Sequence, residues 1–508
     1  MAITFITATD STTVTVNDSS HGALVGDFVT FANADTSNAT LNAQLNNEFE
    51  IQTVPTTNTY TITLASNAAA ALSSAGSANA DYQLNIGINT VVPGNGWGAG
   101  TWGADGWGEG SSETAGTGGT LRLWSQDNFG EDLIFNQRDG FVFYWDKTLG
   151  TTSRAKNAAP TKSRKVIVSE RDRHVICFGA NPIGQSEQDR LLIRFSSQEN
   201  PFLWTPTATN TAGDLRVGSG SEIVTAVKTR REMIVLTDTS VFSMQFIGPP
   251  FTFGISQLAS NITVRGFNGA VAVGDAVFWM GYDRFYIYDG RVQVLPCSVR
   301  DHVFQDFNET QSDKVYAGVN SAFGEVFWFY PSQTNALSNS GTGENDKYVV
   351  YNYDQKIWYV GSLARSSWID RGVYQYPMAT DSNLVYNHEK GNDNDGTAFT
   401  SFIESSPIDV QDGDQFVFLR RMIPDISFEN SDSNISNDNK QAVLSLKAQR
   451  SPNGGFVKTS TNTVTSTTEL NHLRLRGRSF GLRVESTTQG VNWRLGTNRV
   501  DIRADGDR

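Results

Sequence analysis

The sequence predicts an all-β protein, and three observations favour that class. Its 508 residues include 46 glycines and 11% aromatic residues, with abundant Thr, Ser, Asn and Asp, a composition typical of short strands joined by polar turns. Apolar and polar residues alternate in short segments such as 12–16 and 59–65, which is the pattern of a half-buried strand. The apolar period of a helix does not persist beyond about two turns anywhere in the chain.

Residues 1–90 are predicted to form a small acidic β-module, with further alternating strands at 27–32 and 49–54. Residues 1–121 hold ten acidic residues and no Lys or Arg, whereas the chain from Lys447 onward holds eleven basic and five acidic residues. This polarity, within a net charge of −13, either orients partners and stacks subunits or only supports solubility. The acidic total disfavours a free-standing nucleic-acid-binding surface, although the basic end keeps that function open.

A ribbon rich in glycine and tryptophan, residues 91–117, separates this module from the rest of the chain. Its sequence GWGAGTWGADGWGEG places Trp97, Trp102 and Trp107 at equal spacings of five. So much Gly disfavours a helix or a central strand, and exposure of Trp to water is unfavourable. We therefore expect an irregular ribbon whose three indole rings are assembly anchors, held in pockets of this subunit or of a neighbour.

Residues 118–394 are predicted to form a β-propeller of about six blades. Aromatic strands recur in pairs joined by polar turns, such as those at 138–140, 281–283 and 353–355, at intervals of about 45 residues. The segment SQENPFLW at 197–204 is similar to the Ser-x-Asp-x-Gly-x-x-Trp box that stabilises hairpin turns in sialidase-type propellers, with Glu and Pro replacing Asp and Gly. A stack of plain β-sandwiches is the competing architecture, and the regular recurrence of these hairpins disfavours it.

Residues 395–508 are predicted to form a C-terminal β-domain that resembles a sandwich. In HLRLRGRSFGLRVES at 472–486, leucines face one side of the strand and arginines the other. Gly477 is expected to mark a bulge, after which the apolar alternation resumes. Four arginines form a candidate docking face for an acidic neighbour: Arg474, Arg476, Arg478 and Arg483. The alternative is a solvated strand face without a partner.

No pattern in the sequence indicates an enzyme, a cofactor or a metal. The five histidines (His21, His174, His302, His388 and His472) are scattered without ligand spacing, and nucleophile-elbow, P-loop and dinucleotide motifs are absent. Acidic clusters at 393–396 and 409–414 resemble fragments of calcium loops, but turn chemistry explains them more simply. No apolar segment approaches the roughly 20 residues that span a bilayer. With only Cys177 and Cys297 present, no disulfide framework is expected.

Several long motifs resemble the tail nozzle proteins of short-tailed bacteriophages. They are the ribbon, LRLWSQDNFGEDLIFNQRDGFVFYWD (121–146), FSSQENPFLWTP (195–206), FSMQFIGPPFTF (242–253), VQVLPCSVRDHVF (292–304) and NRVDIRADGDR (498–508). Residues 1–90 are similar to a small β-module of several phage tail proteins. Family members start with an extra segment that begins the propeller, whereas Met1 here opens directly in the module. Either the start is shortened, or the first blade is completed by the C-terminal part or by a neighbour.

The resemblance implies a non-enzymatic virion protein, assembled in the cytoplasm of the bacterial host. It would be a homohexameric tube below the portal-adaptor ring that carries tail fibres or spikes, with double-stranded DNA passing through its lumen without specific binding. An acidic segment free of Lys and Arg at the mouth of such a tube would repel phosphate, so residues 1–90 are expected at the distal end.

Two other functions stay open. One is a receptor- or glycan-binding tail protein that uses exposed aromatic residues on a propeller face. The other is a propeller hydrolase, which requires a carboxylate pair or an arginine cluster at the propeller centre.

Overall fold

The computed structural model describes residues 3–83, 121–150, 155–381, 383–410 and 412–506. The chain is all-β and divides into two compact units, Met1–Tyr386 and Asn387–Arg508. The Trp ribbon at 91–117, with its predicted anchors Trp97, Trp102 and Trp107, lies outside the described residues. Within the described ranges, no helix is both long and apolar enough to cross a bilayer.

The N-terminal module, residues 3–83, folds around a core of its own. It contains β1 (Thr4–Thr7), β2 (Thr13–Asn17), β3 (Phe28–Asp35), α1 (Ala39–Leu45), β4 (Glu48–Glu50), β5 (Thr53–Thr56), β6 (Thr59–Thr63), β7 (Leu72–Ala75) and β8 (Ser77–Gln83). One sheet has the order β5-β6-β2-β1-β7 and the other the order β4-β3-β8. Alternate residues of these strands, among them Phe5 and Phe31, point into one cluster, because side chains alternate between the faces of a strand.

Residues 121–386, which we call the body, contain six consecutive antiparallel sheets. The first sheet contains β9 (Trp124–Phe129), β10 (Asp132–Gln137), β11 (Gly140–Trp145) and β12 (Lys156–Ser163). The second contains β13 (Lys165–Val168), β14 (Val175–Phe178), β15 (Leu192–Phe195) and β16 (Gly213–Arg216). The third contains β17 (Ile223–Lys228), β18 (Met233–Thr237), β19 (Ser240–Gly248) and β20 (Thr252–Ser260).

The remaining sheets of the body follow the same order along the chain. The fourth contains β21 (Ala270–Val273), β22 (Ala276–Met280), β23 (Phe285–Tyr288) and β24 (Val292–Leu295). The short helix α2 (Arg300–Gln305) precedes the fifth, which contains β25 (Tyr316–Asn320), β26 (Glu325–Tyr330), β27 (Lys347–Asn352) and β28 (Ile357–Ser362). The sixth has three strands, β29 (Ser367–Ile369), β30 (Met378–Asp381) and β31 (Leu384–Asn387). Short 3-10 helices occupy Lys147–Leu149, Glu309–Lys314 and Leu337–Asn339.

The predicted hairpin turns at 138–140, 281–283 and 353–355 are confirmed. They join β10 to β11, β22 to β23 and β27 to β28. In the first, Asp139 adopts a φ of 61°, a left-handed conformation that Asp tolerates better than most residues. The four-strand repeat was therefore readable from local turn chemistry.

Each hydrophobic core of the body is shared by two sheets that follow one another in the chain. Five clusters join the first sheet to the second, the second to the third, and so on to the sixth. The first strands of successive sheets lie side by side. For example, Asn268, just before β21, forms a parallel bridge with Tyr316 of β25. Ser125 on β9 reinforces one such boundary, because its Oγ accepts from the Val166 amide on β13 at 2.9 Å.

The sixth sheet is anchored on the fifth by Trp368. This residue is 6% exposed, its ring stacks on Phe327 at 5.1 Å, and its Nε1–H donates to the carbonyl of Val319 at 2.8 Å. The indole covers Gly318, where a Cβ would lie only 2.5 to 2.9 Å from its side-chain atoms. Only a residue without a side chain fits at this position of β25.

Gly318→Ala is expected to lower the free energy of unfolding by about 1 to 3 kcal/mol, because the added methyl overpacks the contact with Trp368. Urea unfolding followed by tryptophan fluorescence would measure the change. Gly372→Ala is the matched control, since a Cβ there meets nothing within 4 Å. Equal stability of the two variants would contradict the described packing of the sixth sheet.

The C-terminal unit contains two main sheets around one hydrophobic cluster. Its strands are β32 (Ser401–Glu404), β33 (Ile408–Asp409), β34 (Val417–Ile423), β35 (Ile426–Ser427), β36 (Gln441–Gln449), β37 (Phe456–Thr465), β38 (Asn471–Gly477), β39 (Ser479–Ser486), β40 (Arg494–Leu495) and β41 (Arg499–Ala504). One sheet has the order β32-β39-β36-β37, with β33 also beside β39; the other has the order β38-β34-β41, and β35 pairs with β40.

The expected bulge at Gly477 is wrong, because the chain changes sheets there. Gly477 pairs with Val417 on β34, whereas Ser479 already pairs with Gln449 on β36. A Cβ at Gly477 would lie 2.9 Å from the carbonyl oxygen of Gln449, so the crossing needs a residue without a side chain. The alternation of apolar residues resumes after Gly477 in either arrangement, which is why the sequence pattern did not distinguish them.

Candidate docking face

The outer side of the sheet β38-β34-β41 is lined by basic residues. Phe418 on the central strand is paired with Arg476 on one side and with Arg503 on the other. Because alternate residues of β38 are buried and exposed, Leu473 and Leu475 lie in the core while the arginines between and beyond them face outward. This confirms the predicted separation of leucines from arginines along β38.

We call the basic residues of this outer side and its rim the arginine face. They are Arg420, Arg421, Arg450, Lys458, Arg474, Arg476, Arg499 and Arg503. Two carboxylates pair with members of this set, Asp501 with Arg421 at 3.1 Å and Asp505 with Arg476. Eight basic residues against two acidic ones leave the arginine face strongly positive in a chain whose net charge is −13.

A concavity of about 640 Å³ lies within the arginine face. Arg450, Lys458, Arg474 and Arg476 contribute to its wall together with Phe418. Arg474 is exposed, and no ion pair of Arg474 occurs among the described residues. Arg476 lies over the ring of Phe416 at 4.2 Å, so the guanidinium is held in place by a cation–π contact as well as by its carboxylate. The concavity thus combines fixed and unpaired positive charge.

Of the four predicted docking arginines, Arg474 and Arg476 lie on the arginine face, and the other two lie beyond it. Arg478 follows Gly477 and lies over Phe416 at 4.8 Å, next to Arg476. Arg483 is on β39 in the other sheet, where it donates to Glu404 at 2.8 Å and lies over Phe402 at 4.0 Å. Hydrogen bonds from Lys447 and Arg483 hold the pKa of Glu404 below its ordinary value. Arg483 therefore belongs to an ion-pair cluster on the other sheet and not to the arginine face.

The body contains a charged cluster that the sequence analysis missed. Arg164 donates to Glu222 through two nitrogens, at 2.8 and 3.2 Å, and Arg138 donates to Asp313 at 2.7 Å. These partners are far apart in the sequence, so no spacing could have indicated them. Each guanidinium is buried and already held by a carboxylate. These two ion pairs connect separate segments of the body, and their arginines are not free to bind a substrate carboxylate.

A second polar group in the body has the residue types of a catalytic triad. Nδ1 of His174 lies 3.1 Å from Oδ2 of Asp172, and its Nε2 lies 2.9 Å from Oγ1 of Thr211. His174 is 0% exposed, and the ring of Phe253 closes over it at 5.3 Å. A general base must reach a proton of the substrate, and this imidazole is enclosed by protein. The arrangement is that of a buried structural histidine.

The box-like segment at 197–204 lies between the third and fourth strands of its sheet. The Ser197 amide donates to the carbonyl of Leu203 at 2.7 Å, and Trp204 donates from Nε1 to the carbonyl of Pro201 at 2.7 Å. Trp204 is 3% exposed. The segment therefore stabilises its turn despite the replacements of Asp and Gly.

The two cysteines have thiols of low reactivity. Cys177 is buried, and burial raises the pKa of its thiol to about 12. Burial also raises the pKa of Cys297 to about 11. Thiols with such pKa values are poor nucleophiles at neutral pH.

Lys165 on β13 has its ammonium group turned into the protein, although the residue as a whole is only partly buried. Its Nζ donates to Oγ1 of Thr225 at 2.9 Å and lies 5.0 Å from the ring centre of Phe267. Burial lowers the pKa of Lys165 from 10.5 to about 8, and the charge of Asp127 offsets part of that shift. The charged form of Lys165 is therefore less favourable in the folded protein than in the unfolded chain.

Lys165→Met is expected to remove a pH dependence of stability. Between pH 8 and 10.5 the unfolded chain binds the proton that folded Lys165 has lost, so wild-type stability gains about 3 kcal/mol from this group as pH rises through that window. The difference in unfolding free energy between wild type and variant, measured by urea titration at several pH values, isolates this contribution from that of the tyrosines. A difference that stays constant between pH 8 and 10.5 would show that Lys165 titrates normally.

Comparisons with known proteins leave the family open. No protein-family model matches the chain, and no curated protein matches it. A designed protein, Ika8, aligns at 9% identity with a TM-score of 0.32, covering 52% of this chain and 69% of its own. A protein described as the extracellular domain of a one-component system from B. thetaiotaomicron also aligns at 9% identity and a TM-score of 0.32, covering 53% of this chain and 32% of its own. Likenesses this weak assign neither a family nor a function.

Proposed function

We propose that this chain is a structural virion protein that assembles as the homohexameric tail nozzle of a short-tailed bacteriophage. In this proposal the ring docks below the portal adaptor, carries fibres or spikes, and lets double-stranded DNA leave through its lumen. The observation that carries the proposal is the separation of charge. Arg138 and Arg164, which are buried in the body, each bind a carboxylate of the body, whereas Arg474 in the concavity of the arginine face has no ion pair among the described residues.

A propeller arrangement of the body is part of the proposal. Packed sheets lie about 10 Å apart, so a straight stack would place the first and fifth sheets about 40 Å apart. Arg138, in a turn of the first sheet, nevertheless reaches Asp313, just before the fifth sheet, at 2.7 Å. Lys228 of the third sheet likewise reaches Asp127 of the first at 3.0 Å. Both ion pairs favour sheets arranged around an axis over a linear stack of sandwiches.

The acidic N-terminal module fits a position at the mouth of a DNA channel. Its described residues, 3–83, contain seven acidic residues and no Lys or Arg. A lumen that attracted phosphate would slow ejection, because each neutralised phosphate adds salt-dependent affinity. Repulsion by these carboxylates would keep the duplex moving along the axis.

Mass photometry followed by electron microscopy of the purified full chain tests the proposal. A six-fold ring with a central opening, together with labelling of the tail axis in virions by an antibody to this chain, is the expected result. A stable monomer, or trimers at the tail periphery, would contradict it.

Receptor or glycan binding is the second candidate, and one feature of the third sheet favours it. The tip of the hairpin β19–β20 exposes Phe251 by 74% and Ile247 by 57%. Exposed apolar side chains at a loop tip are common at binding surfaces. Binding of the isolated monomer to a glycan array, abolished by Phe251→Ser, would support this function over the nozzle.

A further inference from the structure

We propose that the arginine face docks on the acidic face of the N-terminal module of a second copy, forming a head-to-tail joint between subunits. This inference rests on the proposed homo-oligomer and names the contact that would build it. The two faces belong to different sheets, and the proposed contact joins two different copies of the chain.

The acidic face is the outer side of the sheet β4-β3-β8. Thr30 on its central strand is paired with Glu48 on one side and Asp81 on the other, and Phe28 is paired with Glu50. Glu48 and Asp81 are exposed. The core residues of β3 alternate with Phe28 and Thr30 and point the opposite way. One side of this sheet is therefore acidic with a partly exposed aromatic ring on its central strand.

The arginine face has the same plan with the charges reversed. It too is the outer side of a three-stranded antiparallel sheet, and Phe418 on its central strand is flanked by Arg476 and Arg503. Arg474 and Arg503 are exposed, and no ion pair involves either of them in the part of the chain that the structure describes. Phe418 is partly buried, as Phe28 is. The two faces are each three strands wide and carry opposite charge, so their electrostatic potentials are complementary.

The charge balance of the chain favours this occupant over others. Residues 3–83 carry seven acidic residues and no basic ones, so they offer no positive group that would repel the arginine face. A duplex nucleic acid would also be attracted by arginines, but the net charge of −13 disfavours it. Every copy of the chain carries one acidic face and one arginine face, so a neighbouring copy always supplies one acidic face for each arginine face.

The joint is of the head-to-tail kind, because it uses one surface on each of two different parts of the chain. Such interfaces leave one unused surface at each end of a dimer, and they generate a ring when the rotation between subunits closes. The proposal therefore predicts a specific behaviour of mixed variants that a symmetric dimer contact would not give.

The test uses two charge-reversed forms of the full chain. One form carries Arg474→Glu with Arg503→Glu, and the other carries Glu48→Lys with Asp81→Lys. Sedimentation velocity over a concentration series at low salt measures self-association of each form. We expect each to associate at least about tenfold more weakly than wild type, because like charges now face each other. High salt is expected to weaken association of the wild type by screening.

Mixing the two forms gives the deciding result. In the mixture, the unchanged arginine face of the second form meets the unchanged acidic face of the first, and the two substituted faces also carry opposite charges, so mixing should restore association toward the wild-type level. A form with Arg494→Glu and Lys440→Glu is the control, since neither residue lies on the sheet β38-β34-β41; it should associate like wild type. Circular dichroism checks that every form is folded.

Three outcomes would overturn the inference. Association of the Glu48→Lys, Asp81→Lys form at wild-type strength would exclude the acidic face as the occupant. Retention of short DNA duplexes by the wild type, lost in the Arg474→Glu, Arg503→Glu form, would assign the arginine face to nucleic acid. Six-fold rings that persist in both forms would place the joint elsewhere while leaving the proposed nozzle intact, whereas association restored by mixing, without wild-type rings, would sustain the joint and remove the nozzle.

Discussion

Replacing Trp328 by alanine is expected to lower the free energy of unfolding of the first unit by about 3 to 5 kcal/mol. Trp328 on β26 is 0% exposed. Its ring lies 4.9 Å from that of Phe285, which belongs to the fourth sheet, and 6.0 Å from that of Trp358. Its Nε1–H donates to the carbonyl of Gly269 at 3.1 Å. The substitution therefore opens a large cavity at the boundary of two sheets and removes one of the two donors to that carbonyl, the other being the Met280 amide.

Urea unfolding monitored by circular dichroism measures this loss, and two controls interpret it. Trp328→Phe keeps most of the ring volume but loses the hydrogen bond, so its cost should be about half or less. Val373→Ala removes a side chain that is 99% exposed and should change stability by less than about 0.5 kcal/mol. If Trp328→Ala cost no more than Val373→Ala, the fourth and fifth sheets would not share the core described for them.

Arg265→Met is expected to cost about 2 to 4 kcal/mol, which is more than removal of its charged partner. The side chain of Arg265 is 2% exposed and binds Glu309. Its Nε donates to the carbonyl of Gly281 at 3.2 Å, and its guanidinium lies 4.1 Å from the ring centre of Phe307. Methionine fills similar space but removes the donors to the carbonyls of Gly281 and Tyr282. The lost hydrogen bonds, rather than the lost charge, dominate the expected effect.

Glu309→Gln is the informative partner variant. The side chain of Glu309 is 64% exposed, so water screens its charge and its replacement should cost only about 1 kcal/mol or less. A double-mutant cycle with both substitutions, read from urea midpoints at low and high salt, separates the pair energy from the remainder. Equal losses for the two single variants would mean that the ion pair, and not the buried carbonyls, stabilises this region.

The sequence predicted those parts of the fold that depend on neighbouring residues. The turn at 138–140 was readable because Asp and Gly accept conformations that other residues avoid, and the strands on either side alternate visibly. Arg474 and Arg476 were placed outward for the same reason, since period-two alternation fixes the face of each side chain. Local chemistry was sufficient for each of these.

Contacts between distant segments could not be predicted in this way. Arg483, like Arg474, stands between apolar residues in the sequence. The change of sheet at Gly477 nevertheless places Arg483 on a different sheet, where it binds Glu404. The pair of Arg138 with Asp313 joins segments that no periodicity connects. Such partners depend on how the sheets are arranged, and that arrangement is set by packing among residues far apart in the chain.

The sharing of every core of the body between two successive sheets has a consequence for its motions. Interior sheets are held on both faces, whereas the first and the sixth each take part in only one of the five described clusters. Transient opening that exposes amides to solvent exchange should therefore begin at these two ends and require the least free energy there. The amides of β18 and β22, in the third and fourth sheets, should be the last to exchange. The free energy of local opening should therefore rise from the first and sixth sheets toward the middle of the series.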